Sequence, residues 1–88
     1  MGIEVGAGRH YLMRNGEVAY IDRETQNYAV CPMLGYGITG YKLSWTSDGQ
    51  FNGFSVSSYD LLEELADDDI RVLEFRALSA LEGYPYEN

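Results

Sequence analysis

Apolar and polar positions alternate over short stretches through the first two thirds of the chain, then change to a helical spacing. The cleanest alternation is Tyr41-Lys42-Leu43-Ser44-Trp45-Thr46. It puts Tyr41, Leu43 and Trp45 on one face and Lys42, Ser44 and Thr46 on the other, the pattern of a half-buried strand. Upstream, residues 10–14 and 17–22 flank Asn15-Gly16. That dipeptide accepts the positive φ angles of a type I′ turn, so residues 10–22 predict a β-hairpin. Tyr28-Ala29-Val30-Cys31 predicts a third strand ended by Pro32, which has no N–H to give to a ladder. Gly35, Gly37 and Gly40 then mark a flexible connection. After Thr46, Ser47-Asp48-Gly49-Gln50 predicts a turn. Residues 51–56 predict a further strand with Gly53 as a bulge or kink, which completes a second hairpin.

The period changes at Ser57. Ser57-Ser58-Tyr59-Asp60 fits a capping box before Leu61, Leu62 and Leu65, and predicts a short helix over about 58–66. Asp67, Asp68 and Asp69 interrupt it and stand where the positive end of a second helix favours carboxylates. Ile70, Leu73, Ala77 and Leu81 recur at helical spacing, with Gly83 and Pro85 as the stop, which predicts a helix over about 69–82. Residues 70–75 also alternate, so a strand is the alternative there. The fold class is therefore α+β: a small twisted antiparallel sheet or partly open barrel over about 10–56, with one or two C-terminal helices at about 58–66 and 69–82. At 88 residues, two separate cores would each be too small to stand alone, which implies a single domain over 1–88. A domain of this size can also draw stability from partners, so a homo-oligomer is kept open.

Charge sharpens the functional picture. Residues 59–88 hold nine of the fourteen acidic residues and two of the six basic ones, which leaves −7 there and −1 in the first 58. A nearly neutral, aromatic front half followed by a strongly negative back half suggests an acidic face for a basic partner. Net charge −8 argues against direct binding of nucleic acid, which needs clustered Lys and Arg, and allows instead a nucleic-acid mimic. Cys31 is the single cysteine, so no internal disulfide forms and a reducing cytosol is the expected compartment. The N-terminal residues lack a basic n-region, and no apolar run approaches the roughly 18 residues of a membrane span, so neither a signal peptide nor a membrane anchor is expected.

Catalytic and metal chemistry find little support. His10 is the single histidine, and no Cys-x-x-Cys or His-x-x-x-His spacing provides a ligand set. Asp67-Asp68-Asp69 lacks the alternation and terminal Glu of a calcium loop. Cys31 has no general base nearby in sequence, although His10 could approach it in three dimensions, and no serine lies in a nucleophile elbow. No metal, cofactor or enzyme activity is expected. Two candidate sites follow. The first is a protein-binding face of Glu63, Glu64, Asp67, Asp68 and Asp69, with Tyr84 and Tyr86 as aromatic anchors. The second is an aromatic and basic pocket of Arg14, Tyr36, Tyr41, Lys42 and Trp45, with Tyr28 beside them, able to stack a base and neutralise phosphate. It would make the chain an oligomeric sponge for a nucleotide signal. The bland alternative is that Tyr11, Tyr20, Tyr41 and Trp45 fill the inner face of the sheet.

Three motifs, Tyr11-x-x-Arg14-x-Gly16, Ser44-Trp45-Thr46-x-Asp48-Gly49 and Ser58-Tyr59-Asp60-Leu61, resemble a pattern of small uncharacterised proteins of tailed bacteriophages and prophages. The resemblance covers residues 9–62 and departs from the pattern at Asn15, usually Asp, and at Gln50, usually Arg or Lys. It implies a phage origin and the cytosol of a bacterial host. It implies a counter-defence or host-takeover inhibitor that binds a host or defence protein, and it carries no catalytic residue. A structural virion component is the remaining alternative.

Overall fold

The computed structural model describes residues 3–26, 30–38, 40–51 and 55–82. Five strands, β1 (His10–Met13), β2 (Val18–Glu24), β3 (Met33–Tyr36), β4 (Lys42–Trp45) and β5 (Leu61–Leu65), precede one helix, α1 (Ile70–Glu82). They form one open antiparallel sheet in the order β4-β3-β2-β1-β5. The α+β class is as expected, and α1 covers the second predicted helix.

The first hairpin forms by a different turn. Gly16 has φ +90°, but no described non-glycine residue has a positive φ, so the type I′ turn is replaced. Gly16 N–H donates to Met13 O at 2.9 Å and Met13 N–H to Glu17 O at 2.8 Å, a tight turn followed by a glycine in the left-handed region. The Asn15 side chain helps by accepting the Glu17 N–H.

The strand expected at 28–31 is corrected to β3, which begins after Pro32. Residues 27–29 lie outside the described residues, and Val30 and Cys31 are not in a strand. Gly35 belongs to that strand and pairs with Ile21 beside the register shift between Ile21 and Arg23. The second hairpin also falls away. Phe51, Ser55 and Val56 are outside any strand, and Gly53 lies outside the described residues.

The helix expected at 58–66 is corrected to strand β5. The local chemistry of the capping box is nevertheless present. Asp60 Oδ2 accepts the Ser57 N–H at 3.0 Å, and Ser57 Oγ accepts the N–H of Tyr59. Asp60 N–H then closes a turn on Ser57 O, and the chain leaves in extended form to pair with β1. An Asx or Ser turn and a helix cap use the same residues, and here pairing with β1 decides.

β4 and β5 run in the same direction at opposite edges, and between them Phe51 and Tyr59 pack against one face of the sheet. That face holds the larger core: Val5, Tyr11, Met13, Ala19, Ile21, Met33, Trp45 and Leu61, with Ile3, Leu43, Phe51 and Tyr59 packed against them. Burying this apolar surface supplies the main driving force. Buried polar groups are matched within it: Tyr11 Oη takes the Gly6 N–H and donates to Glu4 O, and the Trp45 indole donates to Tyr59 O at 2.7 Å.

The opposite face is covered in part by α1 through Val18, Leu65, Val72 and Phe75. His10 lies there, its ring 5.0 Å from Tyr20 and 5.7 Å from Phe75. Burial pushes its imidazole down to about 4, Arg76 on α1 adds to the effect, and Asp67 opposes it. Unfolded, it titrates near 6.5, so the unfolded chain binds a proton that the folded chain refuses between these values. Stability is expected to be complete above about pH 6.5 and to fall by on the order of 2 kcal/mol as pH drops toward about 4. Urea melts at about pH 7.5 and about pH 4.5 should show the loss, and His10→Gln should flatten it. An unchanged slope in that variant would place the titrating group elsewhere.

Candidate partner-binding surface

β5 and the turn after it carry the acidic residues outward. Glu63 and Glu64 are exposed on the edge strand, Asp67 and Asp68 on the turn. Charged side chains on an edge also guard it against stray strand pairing. Glu64 has a partner in Arg9 at 3.4 Å, an exposed pair worth little. Asp69 has a structural task. Its carboxylate accepts the Arg71 N–H at the start of α1 and the Arg71 guanidinium at 2.8–3.0 Å. The bidentate Arg71 and this backbone bond hold the Asp69 carboxyl down at about 2. Glu63 is close enough to contribute to the raised pKa of Arg71, which places it near the start of α1. Glu63, Asp67, Asp68 and, on α1, Glu74 make no ion pair among the described residues. They form the acidic surface that ion pairs among the described residues leave open. Tyr84 and Tyr86 lie outside the described residues.

Ile70, Leu73, Ala77 and Leu81, which mark the helical period of α1 in the sequence, are all exposed, Ile70 at 65% and Leu81 at 81%. Val72, Phe75 and Ser79 face the sheet instead. The signal was in the sequence: α1 has apolar residues on two faces, and a helix apolar nearly all round is covered on both sides or left with one side open. Leu78, also exposed, extends the outer stripe.

The five residues proposed for an aromatic and basic pocket are not brought together. Trp45 is completely buried with its indole N–H already used, so it offers no stacking surface. Arg14, at the hairpin tip, donates to Ser57 O and meets Asp60 at 3.5 Å. The Tyr41 hydroxyl donates to Glu17 at 2.9 Å, and burial with this bond pushes its pKa up. Tyr36 and Lys42 do share an open groove of about 730 Å³ with Asp22, Arg23, Leu34 and Ser44. Tyr28 lies outside the described residues.

Cys31 is half-buried beside the Phe51 carbonyl, and burial pushes its thiol pKa up, opposite to an activated nucleophile. His10 is held by the helix-side core, so the two do not form a pair. Among the described residues no three His, Cys, Asp or Glu side chains group as metal ligands. Among them, too, no helix is long and apolar enough to cross a membrane. No protein-family model matches the chain, and neither a curated protein nor a solved structure matches it.

Proposed function

We propose that this chain is a non-enzymatic binding module that engages a basic surface of a protein partner through its acidic back half. The observation that carries this reading is the set of exposed carboxylates that make no ion pair among the described residues, Glu63, Asp67, Asp68 and Glu74, borne by β5, the following turn and α1. A field of one sign steers an oppositely charged partner and rejects nucleic acid and anionic membrane. That the partner is a host or defence protein, and the chain a phage counter-defence or host-takeover inhibitor in the host cytosol, is proposed on the resemblance of its turn motifs alone. The nucleotide-sponge alternative is not adopted, because Trp45 is buried and Arg14 and Tyr41 are committed to internal contacts.

The test is native mass spectrometry of the tagged protein recovered from a bacterial lysate, beside Asp67→Lys/Asp68→Lys. Basic proteins should accompany the parent chain and be absent with the variant. On any such partner, the reversal should slow association at low salt roughly tenfold and flatten its salt dependence. The same proteins at the same occupancy on both chains would refute the acidic-face reading.

A further inference from the structure

The acidic surface adjoins an apolar one that is exposed among the described residues. Ile70, Leu73, Ala77, Leu78 and Leu81 line the outer side of α1, and Glu74 is the charged residue set among them. We infer that this face is a docking site for a cationic amphipathic helix of the partner protein, with apolar residues at helical spacing and Lys or Arg along its flanks. The inference rests on the acidic-face reading and names the chemistry of the partner.

Charge complementarity selects this occupant. At its N-terminal end the stripe meets Asp67, Asp68 and Glu63, and the cation there, Arg71, is already held by Asp69. A helix that buries its apolar side on Leu73, Ala77 and Leu81 would lay its flanks against these carboxylates. A second copy fits poorly. Each chain carries −8, and a two-fold pairing centred on α1 would draw both Glu74 carboxylates into one seam. An anionic membrane is repelled by the same groups. Geometry agrees with a helical ligand, because ridges spaced three and four residues apart on α1 match the grooves of another helix. Ala77 and Ala80, both exposed, allow the axes to approach to roughly 8 Å.

The experiment uses the full chain and two synthetic peptides of identical Leu, Ala and Lys composition, each about 18 residues, or about five helical turns. One places Leu on a single helical face, and the other scrambles it. Calorimetric titration at low salt should give roughly tenfold tighter binding of the patterned peptide. Leu73→Ser/Leu81→Ser should erase that difference with the melting temperature unchanged, since both side chains are solvent-facing. Equal binding of the two peptides, lost in Asp67→Lys/Asp68→Lys, would overturn the docking site and leave the acidic-face reading standing. Binding of neither peptide would remove both. Sedimentation of the protein alone adds a further arm: a dimer dissolved by Leu73→Ser/Leu81→Ser would assign the face to a second copy and overturn the inference.

Discussion

Replacing Gly35 by alanine should cost about 3 kcal/mol, the upper end for overpacking, and release β3 and β4 from the sheet. A Cβ at this position would lie 3.0 Å from the carbonyl carbon of Tyr20 and 3.1 Å from Ile21 Cα, and closer still to the Tyr20 oxygen. These are backbone atoms of the neighbouring strand, so no rotamer change relieves the overlap. Relief would have to come from separating β2 and β3 opposite the bulge at Ile21 and Arg23. For 88 residues, total stability is on the order of 4–13 kcal/mol, so this loss is a large share of it. Urea melts followed by tryptophan fluorescence provide the measurement, because Trp45 on β4 is buried against the same core. A change under about 1 kcal/mol would mean that β2 and β3 do not approach in this register.

Gly35 also shows why part of the fold could not be read in advance. Elements specified by neighbours in the chain were legible. Asn15-Gly16 between alternating runs marks the hairpin, Tyr41 to Trp45 alternates into β4, and the helical period places α1. β3 was not, since glycine normally signals a loop, and the demand for it comes from a carbonyl on another strand. β5 failed for a related reason. Leu61 and Leu65, four apart, suggest one face of a helix. In the structure they lie on opposite faces of the sheet, Leu61 with Met13 and Leu65 with His10, because the register shift beside Leu12 and Met13 absorbs one residue. The candidate site divides in the same way. Exposure of Glu63, Glu64, Asp67 and Asp68 followed from charge alone, whereas Asp69 is taken up by the start of α1. Which apolar side of α1 meets the sheet is a tertiary choice, settled by Val72 and Phe75 packing against Val18 and Leu65. That choice leaves Ile70, Leu73, Ala77 and Leu81, the residues that mark the helical period, as open surface.

Asp60→Ala should be the most damaging single change, at about 3–5 kcal/mol, because it removes a buried charge that three segments share. Asp60 is 6% exposed. Its Oδ1 accepts the Phe51 N–H at 2.8 Å, its Oδ2 accepts the Ser57 N–H at 3.0 Å and faces Arg14, and its carbonyl accepts the Arg14 N–H. Burial pushes the carboxyl pKa up, yet the two backbone N–H groups and Arg14 outweigh it and hold the value below its usual range. The charge therefore contributes stability in full above about pH 3.8, and that contribution is lost as pH falls below it, in a window under that of His10. With alanine, two N–H groups that had been paired lose their acceptor, and the Arg14 guanidinium loses its carboxylate, while its bond to Ser57 O and the backbone bond from Arg14 N–H to Asp60 O remain. An asparagine side chain in the same place would keep one acceptor oxygen and the volume, so Asp60→Asn should lose about half as much. Arg14→Ala should lose less again, since that guanidinium is half exposed and its contact is long. The order Asp60→Ala, Asp60→Asn, then Arg14→Ala in urea melts at about pH 7 is the result to look for, and an Asp60→Ala chain within about 1 kcal/mol of the parent would refute the shared role. The same turn leads into β5 and so aims Glu63 to Asp68. Asp60→Ala, held folded at low temperature, should then also weaken binding of a basic partner although Asp60 itself does not reach the surface.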